Sequence, residues 1–380
     1  MEVSGLTPWI SRFRAAGPAL SFVGGFLWDA ATLGRSIQSL DLLILLAYLL
    51  AAGGILVWMG RRFRPGAPQN LAAVGPMPGA AAGRGLEAAG TPAGAIRRFL
   101  DRTPALALQF CFGGLFSALV IFYFLSSSYL PGYFLVAGLA VLLGLNEFLQ
   151  GHHRRFTLSW TLFGVCAILF LNFALPHLFR SISPAWFYVS TALGLSLVYG
   201  LRSLAPKSPG SLWPVAAVAA LLLLLFAFNF IPPVPLVKKE MIICRELEKM
   251  EGRYRAVMEQ PPLFAFWRRS EGLVHQRPGE KIDCFTSIFL PPGIECTLYH
   301  RWMYKEPKTG KWSQYSRIGF PIRGGRKEGY RGFTYKRNMA AGKWKVQVET
   351  EEGRVLGLVR FRVEPTAADA ALEFKSLVLE

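Results

Sequence analysis

Charge is scarce in this chain, and acidic charge scarcest. Only 17% of the 380 residues are charged, with 24 Asp and Glu against 42 Lys and Arg. An average soluble domain carries about 25%. The deficit is uneven, because residues 233–380 hold 27 of the basic and 18 of the acidic side chains. Cysteine is also sparse. The five present show no ligand-type spacing, so no metal site is expected, and nothing points to a cofactor. No nucleophile elbow, zincin helix or paired-carboxylate site occurs, which leaves an enzyme reading without residues to carry it. The N-terminus lacks a compact apolar stretch followed by a small-residue cleavage site, so the first apolar span is expected to stay in the protein.

What is present is length of apolar sequence. Leu212 to Ile231 contains no charge and only Asn229 as a strongly polar side chain. A helix needs about 20 mainly apolar residues to cross a bilayer core of roughly 30 Å. Seven such spans are expected: Ala19–Leu33, Leu42–Trp58, Pro104–Leu125, Pro131–Leu149, Phe156–Leu175, Ala185–Leu201 and Leu212–Ile231. The first is short and carries Asp29, so six spans is the alternative. The segments before span 1 and after spans 2, 4 and 6 hold 13 Lys and Arg, against two in the intervening loops. Positive residues stay cytoplasmic, which places the N-terminus inside and the chain beyond span 7 outside the cytoplasm.

The domains follow from these shifts. Residues 1–232 form a multi-pass helical domain interrupted by a Gly-, Pro- and Ala-rich cytoplasmic linker at 65–94, expected to be disordered. Ala95–Arg102 reads as a short basic helix whose Arg97, Arg98 and Arg102 are available to anionic headgroups. Beyond Pro232, Pro233 and Pro235 the pattern changes to period two. Trp344, Val346 and Val348 alternate with Lys343, Lys345 and Gln347, Glu352-Gly353 turns the chain, and Val359, Phe361 and Val363 alternate with Arg360 and Arg362. That is a hairpin with one buried face. Similar strands are expected at Met241–Glu248, Arg253–Glu259, Lys281–Leu290, Cys296–Tyr304, Trp312–Ile322 and Tyr330–Lys336, with a short helix at Phe264–Arg268. Eight short strands imply an all-β antiparallel sandwich-like domain over 237–364, with a helical or disordered tail at 365–380.

Few residues stand out as sites. Asp29 is the only carboxylate well inside a span, and Arg35 is the nearest partner for an intramembrane ion pair. Glu147 lies near His152, His153, Arg154 and Arg155, a grouping that local ion pairing explains. If Pro292 centres a hairpin, Cys284 falls opposite His300 rather than Cys296, so a bridge between those cysteines needs another register. The disulfide state of Cys244, Cys284 and Cys296 stays open. His300 and Trp302 lie on one strand, and the glycine-rich stretch after it holds Arg323, Arg326, Tyr330 and Arg331. Together these six form the candidate ligand-binding set, in which Arg forks, backbone donors and a ring would meet an anion or glycan. The competing reading is a hairpin turn with a solvated basic face. The stretch is not a P-loop, since no Gly-Lys-Ser or Gly-Lys-Thr follows.

Several of these residues carry a resemblance. Asn229-Phe-Ile-Pro-Pro-Val-Pro-Leu236, Cys284-Phe-Thr-Ser-Ile-Phe289, Tyr299-His-Arg-Trp302, Gly324-Gly-Arg326, Gly329-Tyr-Arg-Gly332 and Gly342-Lys-Trp-Lys-Val346 resemble the bacterial family called domain of unknown function 2914, over residues from about 237 to 364. Gly25-Phe-Leu-Trp-Asp29 resembles its long form. The resemblance implies a multi-pass membrane protein with an extracytoplasmic β domain, and supplies no activity and no catalytic residues.

The expectation is an anchored periplasmic β domain that binds or scaffolds an envelope component. Its partners are membrane lipid and an anionic envelope lipid, glycan or protein. A membrane-embedded transporter or enzyme acting on a lipid-linked substrate is one alternative, and an envelope sensor relaying to a cytoplasmic partner is another. Nucleic acid is not expected despite a net charge of +18, because much of the first half's excess sits in orienting loops and no stacking or groove-reading module is present.

Overall fold

The computed structural model describes residues 39–63, 92–127, 133–135, 137–139, 141, 152–250, 252–260, 270–326, 328–367 and 372–379. Asp29 and Arg35, the linker from 64 to 91 and the expected helix at Phe264–Arg268 lie outside them. The chain divides into two compact units, one of helices and one dominated by β-strands.

The helices whose bounds lie among the described residues are α1 (Ser39–Arg62), α2 (Pro92–Ser126), α3 (His152–Phe179), α4 (Ala185–Ser203) and α5 (Trp213–Ala227). Three are long and apolar enough to cross a membrane: α1 over Leu40–Arg62, α2 over Ala107–Ser126 and α3 over Phe156–Phe179. The expected seven is therefore not reached. The first expected span lies outside the described residues, and of the fourth only 133–135, 137–139 and 141 are described, all helical. The expected 20-residue span at Leu212–Ile231 is a 15-residue helix. It ends before Asn229, which takes a left-handed φ of 59° that no helix continues, and Pro232 and Pro233 follow. The basic segment 95–102 is no separate helix but the opening turns of α2.

Within the helical unit, α1 buries Leu45, Leu49, Ala52 and Leu56, one stripe at helical spacing. α3 is the inner helix, with 72% of its apolar window buried against 33% for α1. Close approach needs small side chains where bilayer lipid gives helices no hydrophobic reason to associate. A Cβ on Gly194 of α4 would meet Ile168 Cγ1 of α3 at 2.5 Å. The buried polar side chains described here are uncharged, and Thr161 and Thr191 satisfy their hydroxyls on carbonyls of their own helix. One end is tied by the 204–211 loop, where Trp160 Nε1 donates to Ser208 Oγ at 3.2 Å and Arg61 Nε to Leu204 O at 2.8 Å.

The β unit holds eleven strands: β1 (Val237–Cys244), β2 (Glu246–Met250), β3 (Arg253–Glu259), β4 (Leu273–Gln276), β5 (Lys281–Phe289), β6 (Glu295–Lys305), β7 (Trp312–Arg323), β8 (Tyr330–Arg337), β9 (Gly342–Thr350), β10 (Val355–Pro365) and β11 (Phe374–Leu379). They form three sheets, ordered β1-β5-β8, β4-β10-β9-β6-β7 and β11-β3-β2. The expected β9/β10 hairpin is present, with Trp344 opposite Phe361 and Val346 opposite Val359.

Four expectations are corrected. The domain is not a two-layered sandwich. Ile243, Ile282 and Cys284 pack toward the five-stranded sheet, whereas Ile242, Cys244 and Phe285 pack toward β3 and β11, so the β1-β5-β8 sheet has a core on each face. This is why β5 is buried from Ile282 through Phe289 without alternation. Nor is it wholly antiparallel, because β4 pairs with β10 in parallel. Within the tail, Phe374–Leu379 is neither helix nor disorder but a strand, since β11 closes an edge of β3. Likewise Cys284 and His300 are not hairpin partners. Leu290-Pro-Pro-Gly293 carries the chain from one sheet to another, so β5 pairs with β1 and β8, and β6 with β7 and β9.

Trp344 is buried in the core between the middle and five-stranded sheets, and its indole N–H donates to Ala340 O at 2.8 Å. Loss of a buried Trp costs about 3–5 kcal/mol. Trp344→Ala is therefore expected to lower the melting temperature of the β unit sharply, read by near-ultraviolet circular dichroism of the detergent-purified chain. Lys343→Ala, one pleat away and solvent-facing, is expected to leave it within about 0.5 kcal/mol of the parent.

Candidate functional site

The six sequence-chosen residues do not converge. His300 and Trp302 are fully buried, facing the middle sheet. Thr286 Oγ1 lies 2.7 Å from His300 Nε2, and Thr334 Oγ1 lies 2.9 Å from His300 Nδ1 while accepting the Trp302 indole N–H at 3.0 Å. Two threonines from β5 and β8 thus satisfy a histidine and a tryptophan from β6 inside a core where unpaired polar groups are costly. Burial pushes the imidazole pKa down to about 3, so it is neutral and has no access to a ligand.

The glycine-rich loop is explained by packing. A Cβ on Gly324 would lie 1.8 Å from Pro291 O, and Gly329 holds φ at +91° against Ser287 and Ile288. Gly324 N donates to Ile294 O at 2.8 Å, and Ser287 Oγ to Glu328 O at 2.7 Å. The loop is clamped over the Leu290–Gly293 crossover. Its cations are dispersed: Arg323 pairs with Glu295 at 2.9 Å, Arg331 donates to Gly252 O, and Arg326 is exposed. Tyr330 packs against the core around Leu290 and Ile294.

A different surface gathers charge. Because Trp344, Val346, Phe361 and Val363 point inward, the alternate positions of β9 and β10 point out from the five-stranded sheet. Register then places Lys343 opposite Arg362 and Lys345 opposite Arg360, while on β6 and β7 Arg301 is opposite Arg317. These are three like-charged cross-strand pairs on one face. Among the described residues, Glu349 and Glu364 are the only carboxylates paired with them. Glu349, 2% exposed, accepts from Arg317 Nε at 2.8 Å and lies 3.7 Å from Arg301. Glu364 pairs with Arg362 at 3.0 Å. Lys343, Lys345 and Arg360 have no acidic partner among the described residues. Lys345 has its pKa lowered by burial and then by the charges of Arg360 and Arg301. Two rings lie under cations, Tyr299 under Arg317 at 3.7 Å and Trp312 under Lys345 at 4.6 Å. Chemically, the face offers several cations and half-exposed donors to an anion and no nucleophile or acid–base pair. The alternation of Lys343, Lys345, Arg360 and Arg362 was in the sequence. The pairing of those cations across strands was not considered there.

A second polar cluster is structural. Arg245, nearly buried, pairs with Glu259 and Glu280, and Glu259 also bonds His275 Nδ1 at 2.7 Å. Beside it, burial pushes the Glu271 carboxyl up to about 8. Its Oε1 accepts Glu259 N–H at 2.6 Å, and its Oε2 has no hydrogen bond. All five cysteines are unpaired, and burial pushes the Cys244, Cys284 and Cys296 thiols up, the last to about 12. Among the described residues no group of three or more His, Cys, Asp or Glu is placed to hold a metal.

The arrangement defines a class, a chain with membrane-length apolar helices and a layered β domain bearing a cationic sheet face. Within it, residues 295–363 match the family described as "Protein of unknown function (DUF2914)". The match covers β6 to β9 and most of β10, including the cationic face, and is narrower than the stretch over which the motifs resemble that family. No curated protein matches the chain. Among solved structures, a beta-glucosidase from Listeria innocua is similar at 9% identity over 29% of this chain and 16% of its own, with a TM-score of 0.18. An immunoglobulin-like protein from Pseudomonas aeruginosa is similar at 13% identity over 33% of this chain and 97% of its own, with a TM-score of 0.19. A Pseudomonas fluorescens alkylpurine DNA glycosylase, AlkC, is similar at 14% identity over 71% of this chain and 74% of its own, with a TM-score of 0.20. Likenesses at these scores carry no argument about fold or activity.

Two buried ionisable groups, His300 and Glu271, set opposite pH dependences. Unfolded His300 takes a proton near pH 6.5 and folded His300 only near 3, so its contribution is complete above 6.5 and is lost as pH falls. Folded Glu271 keeps its proton to about 8 and the unfolded group only to 4.5, so its contribution is complete below 4.5 and is lost as pH rises. Each limb amounts to at most about 1.4 kcal/mol per pH unit. In melting curves from pH 3 to 9, His300→Gln is expected to flatten the acid limb and Glu271→Gln the alkaline one. A variant that shifts stability equally at every pH would show that its group does not titrate there.

Proposed function

We propose that the protein is a bacterial inner-membrane anchor for a periplasmic β domain that binds an anionic component of the cell envelope. One observation carries the binding half of this reading: three like-charged cross-strand pairs on a single sheet face, with three of the six cations lacking an acidic partner among the described residues. Like charges directly opposite each other on a sheet are destabilising, by roughly a few tenths of a kcal/mol per pair. A fold that keeps three of them gains when an external anion neutralises them. The anchoring half is supported by the three membrane-length helices and by the excess of Lys and Arg in alternate loops.

Two measurements test the halves separately. Reporter fusions after Arg84 and after Glu380 are expected to read cytoplasmic and periplasmic respectively, and a periplasmic signal at Arg84 would overturn the topology. Lys343→Gln/Lys345→Gln/Arg360→Gln in the full chain is expected to reduce retention on an immobilised polyanion at least tenfold with an unchanged melting temperature. Parent-like retention would remove the cationic face from the function.

A further inference from the structure

Resting on that reading, we infer that the occupant of the cationic face is a linear anionic polysaccharide lying along the strands. The cations form a ladder. Lys343 with Arg362 and Lys345 with Arg360 make two successive levels on β9 and β10, and the third level, two residues on at Gln347, has Arg301 on the neighbouring β6, a cation that shares Glu349 with Arg317 of β7. At sheet geometry the levels are about 7 Å apart and the ladder about 14 Å long. A single small anion meets one level. An extended chain bearing an acidic group every residue or two meets all three, and half-exposed Gln347 in the third level offers an amide to its hydroxyls.

Other polyanions fit the face less well. An anionic bilayer is gripped by apolar side chains inserted beside the cations, yet of the large apolar side chains that the described residues expose, only Leu273 on edge strand β4 lies on this face. The same lack removes the apolar centre that a protein interface is built around. Single-stranded nucleic acid needs open ring faces for base stacking. Here Tyr299 is enclosed between Arg317 on one side and Gly319, where an added Cβ would stand 2.9 Å from the ring, and Trp312 is covered by Lys345. A sugar acid chain asks for cations and hydrogen-bond donors on a flat surface, and this face presents both.

The test uses the full chain in detergent, with galacturonic acid, trigalacturonate and polygalacturonate as probes, neutral dextran as control, and phosphatidylglycerol vesicles and a thymidine oligonucleotide as rival polyanions. Trigalacturonate is expected to bind at least tenfold more tightly than the monomer, the polymer more tightly still, and both rivals at least tenfold more weakly than the polymer. Lys343→Gln/Lys345→Gln/Arg360→Gln is expected to lose the length dependence, and Lys343→Arg/Lys345→Arg to keep it. Monomer and trimer of equal affinity would overturn the ladder. Vesicles or oligonucleotide binding as tightly as the polymer would overturn the polysaccharide. If the Gln variant weakens binding of every polyanion alike, this assignment falls while the anionic-component reading stands. If it weakens none, both fall.

Discussion

The β unit depends on one strand, β5, that is buried on both sides. β5 is apolar or hydroxyl-bearing almost without interruption and sits between β1 and β8, so one of its sides must meet the five-stranded sheet and the other must meet β3 and β11. A two-layered sandwich would leave Ile242, Cys244 and Phe285 in water, losing about 25 cal/mol for each Å² of apolar surface left uncovered. The third layer is what covers them, and it recruits the C-terminal tail as β11 to do so. The polar interior follows from the same constraint. Thr286 and Thr334 reach the core from the middle sheet, and His300 and Trp302 face them as hydrogen-bond partners.

With its inner face pressed on the middle sheet, the five-stranded sheet has its other face for charge. Along β9 the alternation of Trp344, Val346 and Val348 with Lys343, Lys345 and Gln347 is driven by burial on one side. Nothing about burial requires the outward residues to be cations, still less that they face cations on β10. Glu349 shows how the fold deals with such charge when it is to be neutralised within the chain: a nearly buried carboxylate takes Arg301 and Arg317 together, with Tyr299 beneath the guanidinium. Lys343, Lys345 and Arg360 receive no such treatment. The contrast within one face separates charge that holds the sheet from charge directed outward.

The glycine-rich loop shows how a composition can suggest a binding site that packing explains better. Four glycines and four cations in a short stretch look like an anion cradle, yet Gly324 is required by the close passage of the loop over the Leu290–Gly293 crossover and Gly329 by its approach to Ser287 and Ile288. Steric need for glycine and functional need for glycine look alike in one dimension. They separate once the neighbouring backbone is known, as Pro291 O beneath Gly324 makes plain.

The sequence alone determined what local periodicity and length can determine. Apolar length marked α1, α2 and α3, and period two marked β3, β6 to β8 and the β9/β10 hairpin, because a helix or strand that buries one side writes that side into the chain at its own spacing. The family resemblance was legible from about 237 to 364, and residues 295–363 of that stretch match the family. Tertiary structure decided the rest. The break of the expected Met241–Glu248 strand at Arg245 and the sealing of an edge by the tail depend on partners far away in the chain. So does the placement of His300 inside the core instead of on a ligand surface, since a strand residue faces water or core according to which sheet covers it. The cationic ladder belongs to both. Its residues alternate visibly in sequence, but their opposition is a matter of register, and register is set by hydrogen-bonded pairing between strands that no single strand encodes.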